Sequence, residues 1–476
     1  MGNPFAMQTH FEPFLHLAEL TDDRALIAWG GFFFRREDDP DAPWRLVDDE
    51  ELEEVTGEPR SETIGVRSEP FGSAVVEVLH GERVVARAET AQHNHAWLTG
   101  LRPDTEYRYR VLVDGEPWAG GERWDWSTEQ GTLLTSGRRY DNRFRTFPAA
   151  DAQQPVSFAV IGDFGIGILV RGEHGDRQLR LAGALERAMA SHDLRLVLTV
   201  GDNIYLGAED SVAGTGNEDD DWYSSFYQPY RYLLNRVPFY PAVGNHDAAD
   251  TERSDDREQL ADNYFLEQRF RPEVDSGRAS LDPGLFYRFG VGATVEFICI
   301  DTSYANELDV EHYFDDATHR EWMREALQGA PDRRSAWRIP FSHHPPYCAG
   351  PNHGSTPGMV ERVVPLYEEA GVRLVLSGHE HNFQHSVVDG IDYVISGAAG
   401  KLTEEAPRAF EEARTRAWAA SGHFLLVEAD AQRLLVHPVA DVRPDGTIEA
   451  IEIVDPRGEP VATPLEITRS RAPEEA

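Results

Sequence analysis

Five short polar motifs contain side chains that can bind a metal ion, and each motif comes directly after an apolar stretch. They are Gly162-Asp163-Phe164-Gly165, Gly201-Asp202-Asn203-Ile204-Tyr205, Gly244-Asn245-His246-Asp247, His343-His344-Pro345-Pro346 and Gly378-His379-Glu380-His381. Carboxylate, phenol and amide oxygens together with imidazole nitrogens suit borderline divalent metals or ferric iron, and they do not suit a metal that prefers thiolates. The glycines fit this role, because a chain that turns sharply off a strand toward a shared point tolerates little bulk.

The apolar stretches before these motifs have the composition of buried strands, and helical patterns alternate with them. Val156 to Ile161 and Leu194 to Val200 are predicted strands on either side of a predicted helix from Asp176 to Ala190, which together make a βαβ unit. Further strands are predicted at Phe239 to Val243, Val295 to Ile300, Trp337 to Phe341, Leu374 to Leu376 and Tyr393 to Ile395. Such sheets are covered by helices and carry their chemistry at strand ends. We therefore expect the five motifs to meet at a sheet edge.

From Ala25 to Phe147 the chain has a different pattern, in which short alternating stretches indicate strands and no long helical period occurs. The best-marked stretch runs from Trp97 to Val113. Its segment Leu101-Arg102-Pro103-Asp104-Thr105-Glu106-Tyr107 resembles the corner of a fibronectin type III sandwich, with Tyr107 in the position of the tyrosine-corner residue. This region is therefore expected to be an all-β sandwich of that type.

A change in composition separates this region from the rest of the chain. Pro148 to Pro155 is rich in Ala, Gln and Pro, as a linker is, and strands alternating with helices begin after it. Toward the end, Phe424 to Ala429, Arg433 to Val439 and Ile448 to Val454 return to a hairpin pattern. The sequence thus predicts two domains, 1–149 and 150–476, and the strands within about 421–470 are expected to complete the sheets of the second.

The order of the five motifs resembles the calcineurin-like metallophosphoesterase superfamily over about Val156 to Gly400. Most of that superfamily has a histidine two residues after the first aspartate, where this chain has Gly165. Purple acid phosphatases also lack that histidine, and they have a tyrosine three residues after the second aspartate, which corresponds to Tyr205. The sequence is thus similar to purple acid phosphatases, especially mammalian-type members, and the Gly-Asn-His motif makes an alkaline phosphatase D less favoured. The resemblance implies an α/β sandwich of two mixed sheets flanked by helices.

The resemblance also implies which side chains hold two metal ions. The first metal, ferric iron, is held by Asp163, Asp202, Tyr205 and His381. The second metal, which is Fe(II), Zn or Mn, is held by Asp202, Asn245, His343 and His379. Asp202 then bridges the two metals. Such a pair of cations clamps a phosphoryl group and activates a water molecule for in-line attack.

Three residues are implied in handling the substrate, namely Asn245, His246 and His353. His246 follows ligand Asn245 and is placed to protonate the leaving alkoxide or to stabilise the charge on the phosphoryl oxygens. His353 comes ten residues after His343, in the position of the substrate-binding histidine of plant relatives. The family pattern of His, any residue, Pro selects His343 as the ligand, and His344 remains the alternative.

The charge of the chain limits its partners. Eighty-three acidic residues against 45 basic ones give a formal net charge of −38, which disfavours binding to nucleic acid and to anionic membranes. A phosphate group must therefore be captured locally, and metal cations can do this. The basic residues are 44 arginines and one lysine, Lys401. This bias fits either adaptation to high salt or codon bias in a GC-rich genome.

These observations predict an enzyme, a metal-dependent phosphoric ester hydrolase that acts on small phosphate monoesters. The alternatives are a phosphodiesterase or nucleotide hydrolase with the same metals, and a non-catalytic binding module. No apolar run approaches the ~18 residues of a membrane span. Met1 to Leu20 lacks the basic and apolar regions of a secretory signal, so the cytoplasm is the default expectation, although secreted relatives are common. The sequence gives no indication of the oligomeric state.

Overall fold

The chain folds into β-sheets and helices, and each sheet draws its strands from one side of residue 150 only. The computed structural model describes residues 7–39, 41–47, 73–91, 93–169, 171–205, 221–248, 256–275, 279–281, 284–303, 317–329 and 335–469. Within these residues, no helix has both the length and the apolar character that crossing a membrane requires.

Antiparallel sheets are formed by the described residues before residue 150. The strands are β1 Met7–Leu20, β2 Arg24–Glu37, β3 Arg45–Leu46, β4 Ala74–His80, β5 Arg83–Thr90, β6 His95–Thr99, β7 Glu106–Val113, β8 Glu116–Pro117, β9 Trp124–Ser127, β10 Thr132–Thr135 and β11 Arg143–Arg145. One sheet has the order β1-β2-β3 with β6 also paired to β2, and another has the order β11-β7-β4-β5 with β8 paired to β7. Strands β9 and β10 pair with each other. The predicted all-β pattern is present.

Alternating burial explains why these stretches form strands. In β7 the side chains of Tyr107, Tyr109 and Val111 are buried, and the residues between them are exposed. This period of two is the one that a sheet with one covered face requires. The Oη atom of Tyr107 accepts a 2.9 Å hydrogen bond from the backbone N–H of Arg102. Tyr107 thereby ties β7 to the turn that precedes it.

Two larger mixed sheets form after residue 150. The strands are β12 Val156–Ile161, β13 Leu194–Val200, β14 Phe239–Ala242, β15 Ala279–Ser280, β16 Phe286–Val291, β17 Val295–Cys299, β18 Trp337–Phe341, β19 Leu374–Ser377, β20 Phe383–Val388, β21 Ile391–Ser396, β22 Thr415–Ala419, β23 Phe424–Ala429, β24 Arg433–Val442, β25 Ile448–Ala450, β26 Ile453–Val454, β27 Pro460–Val461 and β28 Leu465–Thr468. The seven-stranded sheet has the order β14-β13-β12-β23-β24-β25, with β28 also paired to β24. The ten-stranded sheet has the order β15-β16-β17-β18-β19-β21-β20-β22-β26-β27.

Helices lie between these strands in the chain. They are α1 Glu173–Ser191, α2 Gln228–Leu234, α3 Asp256–Asn263, α4 Leu266–Asp275, α5 Ala317–Gln328, α6 Pro357–Arg362 and α7 Val364–Ala370, and a π-helical turn, Tyr223–Tyr227, precedes α2. Helix α1 is the predicted βαβ helix, and it begins three residues earlier than predicted. Its first turn carries Glu173 and Asp176, whose negative charges stabilise the amino end of a helix.

The predicted strand from Ile448 to Val454 is two strands in two different sheets. β25 pairs with β24 of the seven-stranded sheet, and β26 pairs with β22 of the ten-stranded sheet. The chain crosses from one sheet to the other at Ile451, whose side chain is buried and whose N–H donates a 2.9 Å hydrogen bond to the carbonyl of Pro438. The strands after residue 420 therefore extend both sheets.

Strand β1 contacts the part of the chain that follows residue 150. The ring of Phe14 in β1 stacks on Tyr227 with 4.2 Å between the ring centroids. The buried carboxylate of Glu12, also in β1, is 2.5 Å from a guanidinium nitrogen of Arg231 in α2. Apolar burial and buried ion pairs together join the two parts of the molecule.

Candidate metal centre

The five polar motifs follow parallel strands of the two larger sheets. β12, β13 and β14 are parallel to one another, and each of them ends just before one motif. β18 and β19 are parallel in the other sheet, and they precede the two histidine motifs. The carboxyl ends of parallel strands are the common place for ligand sites in sheets of this kind. The two sheets bring their motifs together there.

The residues that the sequence assigns to the second metal lie in direct contact. His343 Nε2 is 2.9 Å from Asn245 Oδ1 and 3.3 Å from Asp202 Oδ1. His379 Nδ1 is 3.1 Å from the same Asn245 Oδ1 and 3.2 Å from His343 Nε2. Four potential ligand atoms from four different loops therefore converge within ordinary contact distance.

The residues assigned to the first metal lie beside this group. Tyr205 Oη is 3.4 Å from Asp163 Oδ1 and 3.3 Å from His381 Nε2. His381 Nε2 is 3.5 Å from Asp163 Oδ1. Ligand atoms of Asp163, Asp202 and His343 all lie within 4.8 Å of one another, so the two groups adjoin. All seven residues that the sequence assigns to the two metals are thus brought together.

The orientation of His343 tests whether these residues fit a cation. Its Nδ1 is 2.8 Å from the carbonyl oxygen of Val200, so Nδ1 carries the proton and donates to that oxygen. Nε2 then has a lone pair, and it faces the oxygens of Asn245 and Asp202. Lone pairs that face one another at such distances repel unless a cation lies between them. The donor set therefore fits a metal ion that accepts nitrogen and oxygen ligands.

Burial controls the protonation of these groups. Burial and the charge of Asp202 raise the pKa of Asp163 well above its usual range, because two neighbouring carboxylates away from water disfavour a second negative charge. Burial lowers the pKa of His343 and lowers that of His381 to about 3. The imidazoles are therefore neutral, which is the state that binds a metal.

Glycines provide the space that the ligands occupy. Gly201 has a φ of +89°, and a Cβ atom at this position would overlap the ring of His343. A Cβ atom at Gly378 would lie 2.6 Å from Asp163 Oδ2. A larger residue at either position would displace a ligand.

Three of the converging residues have a strained backbone. The φ angles of Asp163, Asp202 and His379 are 55°, 50° and 71°, in the left-handed region that side chains disfavour. Strain of this kind costs about 1–3 kcal/mol per residue and is concentrated at functional sites. The strain is therefore further support for a functional role of this site.

Two buried carboxylates hold the loops of the site, and neither was assigned a role from the sequence. Asp247 accepts hydrogen bonds from the backbone N–H of Gly244 at 2.7 Å and from Asn203 Nδ2 at 2.8 Å, which joins two motifs. Glu380 accepts a 2.7 Å hydrogen bond from the N–H of His353 and so holds the loop that carries this histidine. The sequence signal that could have indicated a role for Asp247 and Glu380 is their position inside two of the motifs.

Both histidines that the sequence assigns to substrate handling lie at the site. His246 packs against Tyr205 with 4.5 Å between ring centroids, and its N–H donates a 3.1 Å hydrogen bond to Asp202 Oδ1. His353 stacks on His379 with 3.8 Å between centroids and 29° between ring planes. The structure therefore places one histidine on each side of the ligand group.

His344 and Lys401 lie at the edge of the group. The His344 Nδ1 atom is 3.0 Å from Thr302 Oγ1, and its ring centroid is 4.3 Å from that of His379. Of the two adjacent histidines, His343 has the Nε2 atom that faces Asn245 and Asp202. Lys401, the single lysine of the chain, has its Nζ 5.1 Å from the centroid of the Tyr205 ring.

The sequence profile of the family described as Calcineurin-like phosphoesterase matches residues 156–383, which contain all five motifs. These residues form a calcineurin-like metallophosphoesterase domain. The match therefore covers the aspartate, asparagine and histidine motifs whose side chains converge in the structure. The metallophosphoesterase domain thus supplies every residue that the sequence assigned to the metals.

Similar proteins align over more residues than this domain contains. An uncharacterized protein of Mycobacterium tuberculosis is 25% identical over 343 residues, which cover 70% of this chain and 58% of the relative. The chain therefore spans less than two thirds of that relative's length. Purple acid phosphatase 17 of Arabidopsis thaliana is 28% identical over 272 residues, 54% of this chain and 72% of the relative. Tartrate-resistant acid phosphatase type 5 of Oryctolagus cuniculus is 24% identical over 259 residues, 53% of this chain and 75% of the relative.

Solved structures share the fold over nearly the whole chain. A structure of PhoD has a TM-score of 0.58 and 15% identity, and the match covers 94% of this chain and 92% of that one. A purple acid phosphatase from yellow lupin seeds has a TM-score of 0.57 and 14% identity, and the match covers 93% of this chain and 74% of that one. At this identity the two likenesses concern the fold alone.

Proposed function

We propose that this protein hydrolyses phosphate monoesters at a centre of two metal ions. The observation that carries the proposal is the orientation of His343, whose Nε2 lone pair faces the oxygens of Asn245 and Asp202 at 2.9 and 3.3 Å. An ion held there and a second beside it would account for both groups of converging residues. When bound, such a pair supplies Lewis-acid polarisation of the phosphoryl group and lowers the pKa of a water molecule.

The proposed ligands are those that the family resemblance implies. Asp163, Asp202, Tyr205 and His381 hold ferric iron at the first position, and Asp202, Asn245, His343 and His379 hold Fe(II), Zn or Mn at the second. Support for the purple acid phosphatase type comes from Tyr205, whose Oη lies 3.4 Å from Asp163 and 3.3 Å from His381. A phenolate is a hard anionic ligand and favours a trivalent ion.

His246 and His353 are the residues proposed to handle the substrate. The ring of His246 lies against Tyr205, next to the proposed metal position, where it can donate a proton to the leaving oxygen. His353 stacks on His379 on the other side, where a ring N–H can hydrogen-bond to a phosphoryl oxygen. Asn245 orients the phosphate through the side chain that also binds the second metal. Positioned proton transfer of this kind contributes about 10²–10⁴-fold to the rate.

The part of the chain before residue 150 is proposed to be a fibronectin type III-like domain, with residues 150–476 as the catalytic domain. Support comes from the two antiparallel sheets and from Tyr107, whose Oη accepts a hydrogen bond from the Arg102 N–H five residues upstream. That contact is the defining feature of a tyrosine corner. Glu12 and Phe14 contact residues of the proposed catalytic domain, which indicates that the first domain supports the catalytic sheets.

A substrate panel tests the reaction class. Protein loaded with iron and zinc is assayed against nitrophenyl and alkyl phosphate monoesters, a phosphodiester and a nucleoside triphosphate, and monoesters are expected to have the highest kcat/KM. A higher value for the diester or the triphosphate would replace the monoesterase with a phosphodiesterase or nucleotide hydrolase. Full metal loading without turnover on any ester would favour a binding module.

Variants separate the proposed roles of individual residues. Tyr205→Phe should bleach the visible charge-transfer band of the iron-loaded protein, because the phenolate is the ligand that produces it. His246→Ala should retain both metals and lower kcat by about 10²-fold or more, with the larger loss for alkyl phosphates that need a proton on the leaving oxygen. A band that survives Tyr205→Phe would remove the tyrosine from the ligand set. Equal losses on nitrophenyl and alkyl esters would contradict the proton-donor role of His246.

A further inference from the structure

A cavity of about 580 Å³ borders the metal centre on the side of His379. His344 and His353 also line it, together with residues 352–358, Glu361 and Arg362. Because the ring of His379 also contacts Asn245 and His343, the cavity adjoins the place where a phosphoryl group would react. Its volume lies within the range of about 300–1,000 Å³ that small-molecule sites have. The cavity can therefore hold the alcohol part of a phosphate ester.

Arg362 supplies a permanent positive charge to this cavity. Its side chain is 19% exposed and lies at the end of helix α6. A guanidinium group stays protonated at any pH in which the fold persists, and its paired N–H groups match the oxygens of a carboxylate or a phosphate. Such a group next to a reaction centre is suited to recognise an anion on the substrate.

One ion-pair partner of Arg362, the carboxylate of Glu361, is replaceable. Glu361 Oε2 lies 2.9 Å from Arg362 Nη1, and the Glu361 side chain is 68% exposed. Ion pairs with an exposed member contribute little to stability, because water screens the attraction and the side chain loses freedom. A substrate anion can therefore take the place of Glu361, which turns toward solvent.

We propose that this cavity binds the alcohol part of the substrate and that Arg362 selects phosphate monoesters whose alcohol part carries a second anionic group, a carboxylate or a phosphate. The inference rests on the proposed function, since the reacting phosphoryl group occupies the metal centre. The overall charge of −38 repels such substrates. A specific cation in the cavity is therefore needed to bind the second anionic group.

Matched substrates test this inference on the metal-loaded full chain. Glycerol 3-phosphate and 3-phosphoglycerate share a carbon skeleton and differ by a hydroxymethyl group in place of a carboxylate, and propane-1,3-diol bisphosphate carries a phosphate as the second anion. Wild-type protein should prefer one or both anionic substrates. Arg362→Gln should lower kcat/KM for the preferred substrate by about 10- to 100-fold, mainly through KM, because a charged hydrogen-bond donor is lost. The value for glycerol 3-phosphate should stay within about twofold, since its alcohol part makes no charged contact.

Three further variants distinguish selection from a structural effect. Glu361→Gln should lower KM for the anionic substrates, because the competing carboxylate is removed. Arg362→Lys should keep part of the preference, since it retains the charge but loses the paired N–H groups. Arg408→Gln removes one member of an exposed ion pair with Glu405, outside the residues that line the cavity, and should change none of these values.

The outcomes separate this inference from the proposed function. Equal losses on all three substrates in Arg362→Gln, no loss on any of them, or a raised KM in Glu361→Gln would overturn the selection by Arg362. Hydrolysis of glycerol 3-phosphate without preference for either anionic substrate would overturn this inference alone. Failure of the loaded wild type on every ester would overturn the proposed function together with it.

Discussion

Buried carboxylates in two parts of this molecule have different partners. Where β1 meets the rest of the chain, Glu12 is within 3.2 Å of Arg123 and 2.5 Å of Arg231. At the metal centre, the contacts of Asp163 and Asp202 are with imidazoles, a phenol and backbone N–H groups. The first place supplies positive charge from the chain itself, whereas the second surrounds its carboxylates with neutral groups.

This difference indicates that the first place has a structural role and that the second is a site for a cation. Burying a charge is costly unless an opposite charge accompanies it. Arginines provide that charge for Glu12, and a metal ion would provide it for Asp163 and Asp202. The comparison predicts that equivalent substitutions in the two places have different, and partly opposite, effects.

The largest effect is expected for Asp202→Asn, which removes the proposed bridging ligand. Hydrolysis should fall by about 10³-fold or more, because a metal pair contributes several kcal/mol to the stabilisation of the transition state. Turnover and bound metal are measured on the same preparation. Asp392→Asn is the matched control, since Asp392 is buried, lies 2.8 Å from His385 and is not part of the centre. Turnover near the wild-type rate in Asp202→Asn would contradict the two-metal assignment.

Opposite changes in stability are expected when metal is removed with a chelator at pH 7. Glu12→Gln should lower the free energy of unfolding by about 3–5 kcal/mol, because two buried arginines lose their counter-charge. Asp163→Asn should raise it by about 1 kcal/mol or more, because folding then no longer has to protonate a buried carboxyl whose pKa is raised well above its usual range. Urea unfolding of the chelated proteins measures both. A loss of stability in Asp163→Asn would show that positive groups of the chain itself neutralise the carboxylates of the site.

The adjacent histidines provide a narrower test inside the metal centre. His343→Ala should lose one of two metal equivalents, because its Nε2 faces Asn245 and Asp202. His344→Ala should retain both, because the Nδ1 of His344 contacts Thr302. Metal content after equilibration with zinc and desalting measures the difference. The reverse result would make His344 the ligand.

The last effect, on the pH dependence of stability, concerns a histidine in β1, the strand that also carries Glu12. His16 is fully buried among Phe226, Tyr227 and Phe265, and burial, with a smaller contribution from Arg269, lowers its pKa from 6.5 to about 3. The unfolded chain binds a proton below pH 6.5 and the folded chain does not, so stability is complete above that pH and falls as the pH drops toward 3. The loss is about 1.4 kcal/mol per pH unit.

His16→Phe removes this proton and should therefore flatten the pH dependence. The free energy of unfolding is measured at pH 7 and pH 5 for both proteins. The wild type should lose about 2 kcal/mol more than the variant between these values. An equal loss in both would mean that His16 is protonated in the folded state.

The loops that carry the five motifs could be predicted from the sequence because their signal is local. An apolar strand, a glycine and a polar side chain follow one another, and β12, β13 and β18 have the predicted bounds. The division of residues 448–454 between two sheets could not be predicted, because both short strands are apolar and only their pairing partners differ. The family pattern favoured His343 over His344, but the hydrogen bond from His343 to the carbonyl of Val200 could not be predicted, because Val200 is far away in the sequence.

The buried ion pairs of β1 had no signal in the sequence. Glu12 and Arg231 are separated by 219 residues, and each is of a type that is usually exposed. The position of Asp247 inside a motif was a signal of a role, but its hydrogen bonds to two loops could not be predicted, because they depend on how those loops pack. Contacts that depend on tertiary packing alone could therefore not be predicted from the sequence.

Counting bound metal ions tests the central claim most directly. Chelated wild-type protein and the double variant Asp163→Asn/Asp202→Asn are titrated with zinc and with iron, and bound metal per chain is determined by elemental analysis while circular dichroism checks the fold. The account predicts two equivalents in the wild type and fewer than one in the variant, with the same fold. Two tightly bound equivalents in the folded double variant, or none in the wild type, would contradict the claim that these buried carboxylates are held for a pair of cations.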